Sequence, residues 1–388
     1  MTATTPRAAT ALGGQHCDGG GLGEAWAAVF AATPREHFIP ERAWVDEADG
    51  DQMDCVALDR ATEPERWLCA VRSDRVIVTQ FDDGATTWPQ VGRRPSCSCS
   101  MPSLVAGMLD ALDVRDGCNV LEIGTGTGWN AALLARRLGE DLVTTIEVDP
   151  TLAEAARAAL DSTSPAPRVI TADGAAGWAP NAPYDRVIVT AAVKLGRVPY
   201  AWVHQARPGA VILAPIKTDL CTGPLVRFTV SDDGTATGSV VPPRVGFMEL
   251  REQRTPDTDF SHRRWDDPEA DLTHTDLMPW TTLGNEAPRW ALAVAMPSCR
   301  YELWKRPPGR NPDHGVAWLT DPLTGSWASV VPGVHERYDV RQHGPRRLWD
   351  EAETACRWWK AIGMPSPRDW EFTITPDNQT VHPTTPHT

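Results

Sequence analysis

No stretch of this 388-residue chain approaches the roughly 18 unbroken apolar residues that a membrane-spanning helix needs, so no membrane partner is expected. Positive charge is short as well. Against 51 acidic residues there are 37 Lys and Arg, and the net charge of -14 argues against a nucleic-acid partner, because phosphate contacts need clustered cations. The first 23 residues are rich in Ala, Thr and Gly, but lack the charged region followed by an apolar one that marks a secretory signal; they read as a disordered start. A disulfide framework is missing too, since nine cysteines are an odd number scattered along a long chain, and a reducing cytoplasm is the expected location. Cys97 and Cys99 stand one residue apart with no second Cys or His pair at zinc-ligand spacing. They read as reduced loop or core thiols in preference to metal ligands. No internal repeat is found.

What is present is an ordinary globular balance, 41% apolar with 23% charged residues, in a chain long enough for two domains or three. Its organising stretch is Val120-Leu121-Glu122-Ile123-Gly124-Thr125-Gly126-Thr127-Gly128. This reads as a buried strand entering a glycine-rich turn, followed by a helix from Trp129 to Leu138 with Ala131, Leu134, Ala135 and Leu138 at three- and four-residue spacing. Glycines there let the backbone turn tightly and approach a ligand with no side chain intervening.

Upstream, Glu24 to Phe30 fits a short amphipathic helix that Pro34 and Pro40 break into an extended connection. Residues 46–70 are polar and acidic, with no element assigned, and precede a strand from Arg75 to Thr79. Ser96 to Ser103 reads as a Ser/Cys loop, and Pro102 suits the first turn of a helix through Leu104, Val105, Met108, Leu109 and Leu112. Downstream, strands from Val143 to Val148, Arg168 to Thr171, Tyr184 to Thr190 and Ala210 to Ile216 alternate with helices from Leu152 to Leu160 and near Tyr200 to Gln205. That alternation predicts an α/β fold with a mainly parallel, Rossmann-like sheet covered on both faces. Ligands in such sheets bind beyond the carboxyl ends of the strands, where Gly124, Glu147, Asp173 and Thr190 all fall. After about Phe260 the composition shifts: ten of the seventeen tryptophans lie from Trp265 onward, a smaller α+β module with a helix from Leu348 to Ile362. The expected division is a disordered N-terminus (1–23), an N-terminal helix and substrate-side insertion (24–99), a cofactor-binding domain (100–255), the Trp-rich module (260–376) and a flexible tail (377–388).

The context of the glycine turn narrows its ligand. A dinucleotide fingerprint wants a small residue one position beyond Gly128, where this chain has Trp129. Glu122, two residues before the first glycine, suits a cationic ligand or the orientation of the loop, and would repel a pyrophosphate. Glu147 at the end of the next strand is placed to hold two ribose hydroxyls, a task for a double acceptor. Asp173-Gly174 follows the third strand, where a carboxylate accepts the exocyclic amine of adenine. Together with Thr125, Gly126 and Thr190 these residues describe S-adenosyl-L-methionine, with S-adenosyl-L-homocysteine as product, in a class I methyltransferase. A nicotinamide enzyme and a cofactor-binding scaffold without turnover are the competing classes.

Over about residues 24–216 the chain resembles the protein-L-isoaspartate (D-aspartate) O-methyltransferases. The likeness rests on Thr33-Pro34-Arg35-Glu36-His37-Phe38-Ile39-Pro40, Ser100-Met101-Pro102-Ser103, the glycine turn, Tyr184-Asp185-Arg186-Val187-Ile188-Val189-Thr190-Ala191-Ala192, and Val198-Pro199 to Arg207-Pro208-Gly209. The resemblance implies a catalytic role for Ser100 in a loop that closes over cofactor and substrate carboxylate, with Met101, Pro102, Ser103 and Ala191 on the substrate side. A helix cap is the competing reading of Ser100. Ser103 stands where relatives often carry His or an aromatic residue, and about 130 residues follow the point where repair enzymes usually end. Extended relatives of this kind resemble methyltransferases that tailor ribosomally made peptides, so the expected partner is a protein or peptide containing Asp or isoaspartate. General repair of isoaspartate is the alternative, and the oligomeric state is not indicated. The substrate carboxylate is ionised at neutral pH, so no general base, and no Ser-His-Asp or Cys-His arrangement, is required. Once formed, the ester cyclises to succinimide (aspartimide). The C-terminal module reads as a substrate-recognition or lid element, with Arg300, Lys305, Arg306 and Arg310, and Arg341, Arg346 and Arg347, as cationic contacts for an acidic peptide.

Overall fold

The computed structural model describes residues 24–47, 54–304, 315–333 and 337–384, so the N-terminus expected to be disordered lies outside the described residues. The helix Glu24–Ala32 opens the chain and a short 3-10 turn, Arg35–His37, follows Pro34. Four antiparallel strands then form a small sheet in the order β2-β1-β3-β4: β1 Arg42–Asp46, β2 Cys55–Asp59, β3 Ile77–Phe81 and β4 Pro95–Cys99. The polar stretch over 46–70 contains β2 and the helix Pro64–Arg72, and one expectation is corrected: the Ser/Cys loop contains β4. In β4, Cys97 and Cys99 point inward and alternate with Ser96 and Ser98, a period of two disguised by small side chains.

The main sheet begins with β5 Val120–Ile123, β6 Val143–Glu147, β7 Arg168–Thr171 and β8 Tyr184–Val189, followed by β9 Val193–Lys194, β10 Ala206–Lys217, β11 Thr222–Val230 and β12 Ala236–Val241. The strands β7-β6-β5-β8-β10 are parallel neighbours, β9 runs beside β10, and β11 and β12 extend the sheet antiparallel. Helices Trp129–Leu138 and Pro150–Asp161 provide the first two crossovers, as their periodicity predicts. Alternation along β5 divides the core, with Val120 facing one apolar cluster and Leu121 and Ile123 the other. The Val120 side packs on the helix Pro102–Leu112 through Leu104, Met108 and Leu109.

The C-terminal region forms a second antiparallel sheet in the order β13-β17-β16-β15-β14, from β13 Asp271–Thr275, β14 Arg300–Trp304, β15 Val316–Asp321, β16 Ser326–Pro332 and β17 Tyr338–His343. The helix Leu348–Ala361 lies where the sequence places it. The module is not a separate body. Ala317, Leu319 and Val330 share one apolar cluster with Val226 and Phe228 of the main sheet, and Trp290, Trp349 and Trp370 fill the space between. The chain then returns to the main sheet: β18 Trp370–Ile374 pairs with β12, and β19 Gln379–Pro383 pairs with β18. The tail expected to be loose from 377 is therefore an edge strand over 379–383, polar because only one side of it is covered.

The cationic contacts proposed for this module are also corrected. Arg346 is bound to the buried Asp321 at 2.8 Å and to Glu351, an internal tie, whereas Arg347 pairs with Asp271 at the surface. Arg300 faces Asp219 and Asp257, while Lys305, Arg306 and Arg310 lie outside the described residues. Among the described residues no helix is long and apolar enough to cross a membrane.

Candidate functional site

A cleft opens at the carboxyl ends of β5, β6, β7 and β8. Gly124, Gly126 and Gly128 all have positive φ (98°, 54° and 89°), a backbone path that favours glycine. The turn is stitched to its neighbours, with the Gly124 and Thr125 N–H groups donating to Ile146 O at 2.8 and 3.1 Å. The Thr190 hydroxyl donates to Gly124 O at 2.6 Å, and a Cβ on Gly124 would lie 2.8 Å from Thr190 Oγ1. Thr190 thus holds the loop from the end of β8.

Glu147 receives the Gly126 N–H on one carboxylate oxygen (2.9 Å) and the Asp149 N–H on the other (3.0 Å). Each oxygen keeps a lone-pair direction for a further donor, which fits a pair of ribose hydroxyls. Burial pushes its carboxyl above the usual range, partly offset by those two N–H groups. At the next strand end Asp173 accepts the Ala175 N–H, while Gly174 sits against Ile123, where a Cβ would come within 2.6 Å of Cγ2. The residues gathered at these strand ends, Glu147, Asp173, Gly174 and the turn 124–126, fit S-adenosyl-L-methionine.

Glu122 lies fully buried under the turn, accepting from Asn130 Nδ2 and Thr145 Oγ1, each at 2.6 Å; Thr145 in turn meets Thr125 Oγ1 at 2.7 Å. Desolvation pushes its carboxyl up to about 7. Between its ordinary value of 4.5 and about 7, the folded state holds a proton that the unfolded state has lost, so this group's stabilising contribution fades as pH rises through that window. Glu122→Gln is expected to match wild type in urea denaturation at pH 5 and to be more stable by roughly 1–3 kcal/mol at pH 8. A difference independent of pH would contradict the buried, protonated carboxyl.

On the opposite wall Ser96, Cys97, Ser98 and Cys99 of β4 line the cleft and lead to Ser100, which also lines it, as does Ala191. The helix that follows starts with Pro102 and has Met101 at its cap position with no side-chain cap bond, so the Ser100 hydroxyl is not a helix cap. Met101 packs against the apolar cluster of that helix, and the Ser103 N–H donates to Asp74 at 2.8 Å. The cleft lining includes neither Met101, Pro102 and Ser103 nor Gly128, whose missing Cβ would face Leu160 at 3.3 Å. Gly128 serves the close packing of two helices.

Two contributions are not legible from motifs. Buried Arg35 donates to the carbonyls of Cys99 and Ser100 at 2.7 and 2.9 Å, fixing the Ser100 loop from a segment 64 residues away. The segment from Phe247 to Arg254 supplies much of the remaining wall, including Glu249, Leu250 and Arg251. Among the described residues no group of three or more His, Cys, Asp or Glu could hold a metal ion.

Removing the Glu147 carboxylate is expected to weaken S-adenosylhomocysteine binding by roughly 1.5–3 kcal/mol, the range for hydrogen bonds to a charged group. Calorimetry on folded Glu147→Ala checks this, and unchanged affinity would take Glu147 out of the site.

A family model described as protein-L-isoaspartate(D-aspartate) O-methyltransferase matches residues 80–253. The chain is 38% identical over 156 residues to a protein-L-isoaspartate O-methyltransferase of Ignicoccus hospitalis, covering 40% of this chain and 72% of that one. It is 44% identical over 163 residues to the protein of that name in Anaeromyxobacter dehalogenans, covering 41% of this chain and 69% of that one. With the relative in Thermococcus onnurineus the 44% identity spans only 53% of that protein. A solved structure of a protein-L-isoaspartate O-methyltransferase has a TM-score of 0.51 at 20% identity, covering 93% of this chain and 95% of that one. Coverage that broad takes in the C-terminal module, so the fold is shared beyond the main sheet.

Proposed function

Because the chain belongs to the protein-L-isoaspartate(D-aspartate) O-methyltransferase family, we propose that it methylates a carboxylate oxygen of an Asp or isoaspartate side chain in a protein or peptide, working in the cytoplasm. S-adenosyl-L-methionine is the cofactor, and when bound it supplies a methyl group carried on a sulfonium. The observation that carries the reading is the meeting of Glu147, Asp173 and the glycine turn with Ser100 and Ala191 in one cleft. Glu147 and Asp173 hold the nucleoside, and the turn leaves no side chain between backbone and ligand. Ser100 and nearby backbone N–H groups orient the substrate carboxylate, and the apolar Val105, Ile188 and Phe247 around it exclude water from the nucleophile. No residue has to remove a proton. With the cofactor held by Glu147, Asp173 and the turn, its methyl group would be available to the carboxylate oxygen that Ser100 orients. The following backbone nitrogen then attacks the ester carbonyl, loses its proton to solvent and expels methanol, giving succinimide.

The finer reading is tailoring of a ribosomally made peptide, with general isoaspartate repair as the alternative. The C-terminal module reaches the segment that walls the cleft, where Arg300 Nη2 donates to Thr255 O at 3.4 Å. Mass spectrometry after incubation with matched Asp and isoaspartyl peptides, and with the peptide product of a short neighbouring gene, tests the distinction. Tailoring predicts conversion of one Asp in that peptide to succinimide and poor use of the generic isoaspartyl peptide. The reverse preference would establish repair.

A further inference from the structure

The segment from Phe247 to Thr255, most of which walls the cleft, is pinned at both ends and held by ion pairs in between. At its start the Ala192 N–H donates to Met248 O at 2.7 Å and the Leu250 N–H to Ala192 O at 2.9 Å. At its far end Gln253 accepts the Lys194 N–H and donates to Arg197 O, both at 2.7 Å, and the Thr255 hydroxyl donates to Asp219 at 2.6 Å. Between these anchors Arg251 Nη2 lies 3.2 Å from Asp83 Oδ1 and 3.2 Å from Asp149 Oδ2, while Arg254 Nη1 lies 2.7 Å from Asp83 Oδ2.

The two acids belong to different parts of the fold. Asp149 caps the helix after β6, accepting from Thr151 and Leu152, and its own N–H binds the Glu147 carboxylate. Asp83 sits in the turn after β3, in the small N-terminal sheet, with φ 53°. Arg251 lines the cleft and Asp83 does not. The Nε of Arg251 is buried and makes no hydrogen bond, so this guanidinium keeps one donor unused. Partly buried charges of this kind are screened less than surface pairs, and a guanidinium shared between two carboxylates is fixed in direction.

We propose that Arg251 and Arg254, closed on Asp83 and Asp149, are an electrostatic latch that keeps this segment over the bound cofactor and limits the release of S-adenosylhomocysteine. The latch rests on the assignment of the cleft to that cofactor. Opening requires breaking contacts to Asp83, after which the segment can swing on its two anchors.

The test uses the full-length protein and Asp83→Asn, which keeps every cleft-lining residue and suits the left-handed backbone at that position. Release of S-adenosylhomocysteine is followed by stopped-flow displacement at low and high salt, and amide hydrogen exchange over 247–255 is measured without cofactor. The latch predicts wild-type release that quickens with salt, Asp83→Asn release faster by about fivefold or more with little salt dependence, and faster exchange of the segment in the variant. Wild-type rates and exchange in Asp83→Asn would overturn it. So would Arg251→Met quickening release while Asp83→Asn does not, since Arg251 would then be a simple contact. If wild type binds no S-adenosylhomocysteine, the cofactor assignment fails, and unchanged exchange in Asp83→Asn would independently remove the latch.

Discussion

Arg35→Ala is expected to lower folding stability by roughly 3–5 kcal/mol, the cost of breaking a buried, hydrogen-bonded charged network. The side chain is 5% exposed, and no carboxylate balances its charge among the contacts it makes. Carbonyl oxygens do that work: Val71 at 3.0 Å, Arg75 at 2.8 Å, Cys99 at 2.7 Å and Ser100 at 2.9 Å, with Trp129 beneath the guanidinium at 5.5 Å. Truncation strands those acceptors away from water and removes a group that ties the segment after Pro34, the helix Pro64–Arg72 and the Ser100 loop together. Urea denaturation measures the loss. A change below about 1 kcal/mol would mean that water reaches the carbonyls and that Arg35 does not organise the loop.

Deleting residues 260–388 is expected to abolish folding. Sequence reasoning treats this region as a substrate-recognition or lid module beside the cofactor-binding domain, but the structure joins it to the main sheet through β18 and through a common core. Trp290, Trp349, Trp370 and Phe372 are each buried there, and losing a large aromatic from a core costs about 3–5 kcal/mol. Four such losses come to about 12–20 kcal/mol, as large as the roughly 5–15 kcal/mol by which domains are typically stable, before the exposed edge of β12 is counted. Circular dichroism and size exclusion of the truncated chain should show unfolded or aggregated protein. A monodisperse product that binds S-adenosylhomocysteine would contradict the shared core.

The contrast shows where local pattern carries information. The strand–glycine turn–helix unit and the crossover helices are set by periodicity and by Gly, Pro and Asp punctuation within a few residues, so Trp129–Leu138 and Arg168–Thr171 appear where expected. The placement of Glu147 and Asp173 in the cleft was legible because both stand at or just past strand ends. β4 was hidden by cysteines and serines too small to read as a strand face, and β19 by its polar, one-sided edge. Arg35 and Arg251 act through carbonyls and carboxylates distant in sequence, which no spacing rule detects. Arg346 failed as a surface contact for the same reason: its buried partner Asp321 is 25 residues away.

The most direct test of the central claim is transfer of label from methyl-labelled S-adenosyl-L-methionine to Asp and isoaspartyl peptides, read as methanol released by alkali. Full-length wild type, Glu147→Ala and Ser100→Ala would be compared at equal folded concentration. The expected result is alkali-labile label with wild type and loss of transfer in Glu147→Ala that excess cofactor restores. In Ser100→Ala, turnover should fall by about 10–100-fold with S-adenosylhomocysteine affinity kept, as for a bond made to the reacting carboxylate and not to the cofactor. Wild-type protein that binds S-adenosylhomocysteine but forms no alkali-labile ester on any of these peptides, or Ser100→Ala with full turnover, would contradict the account.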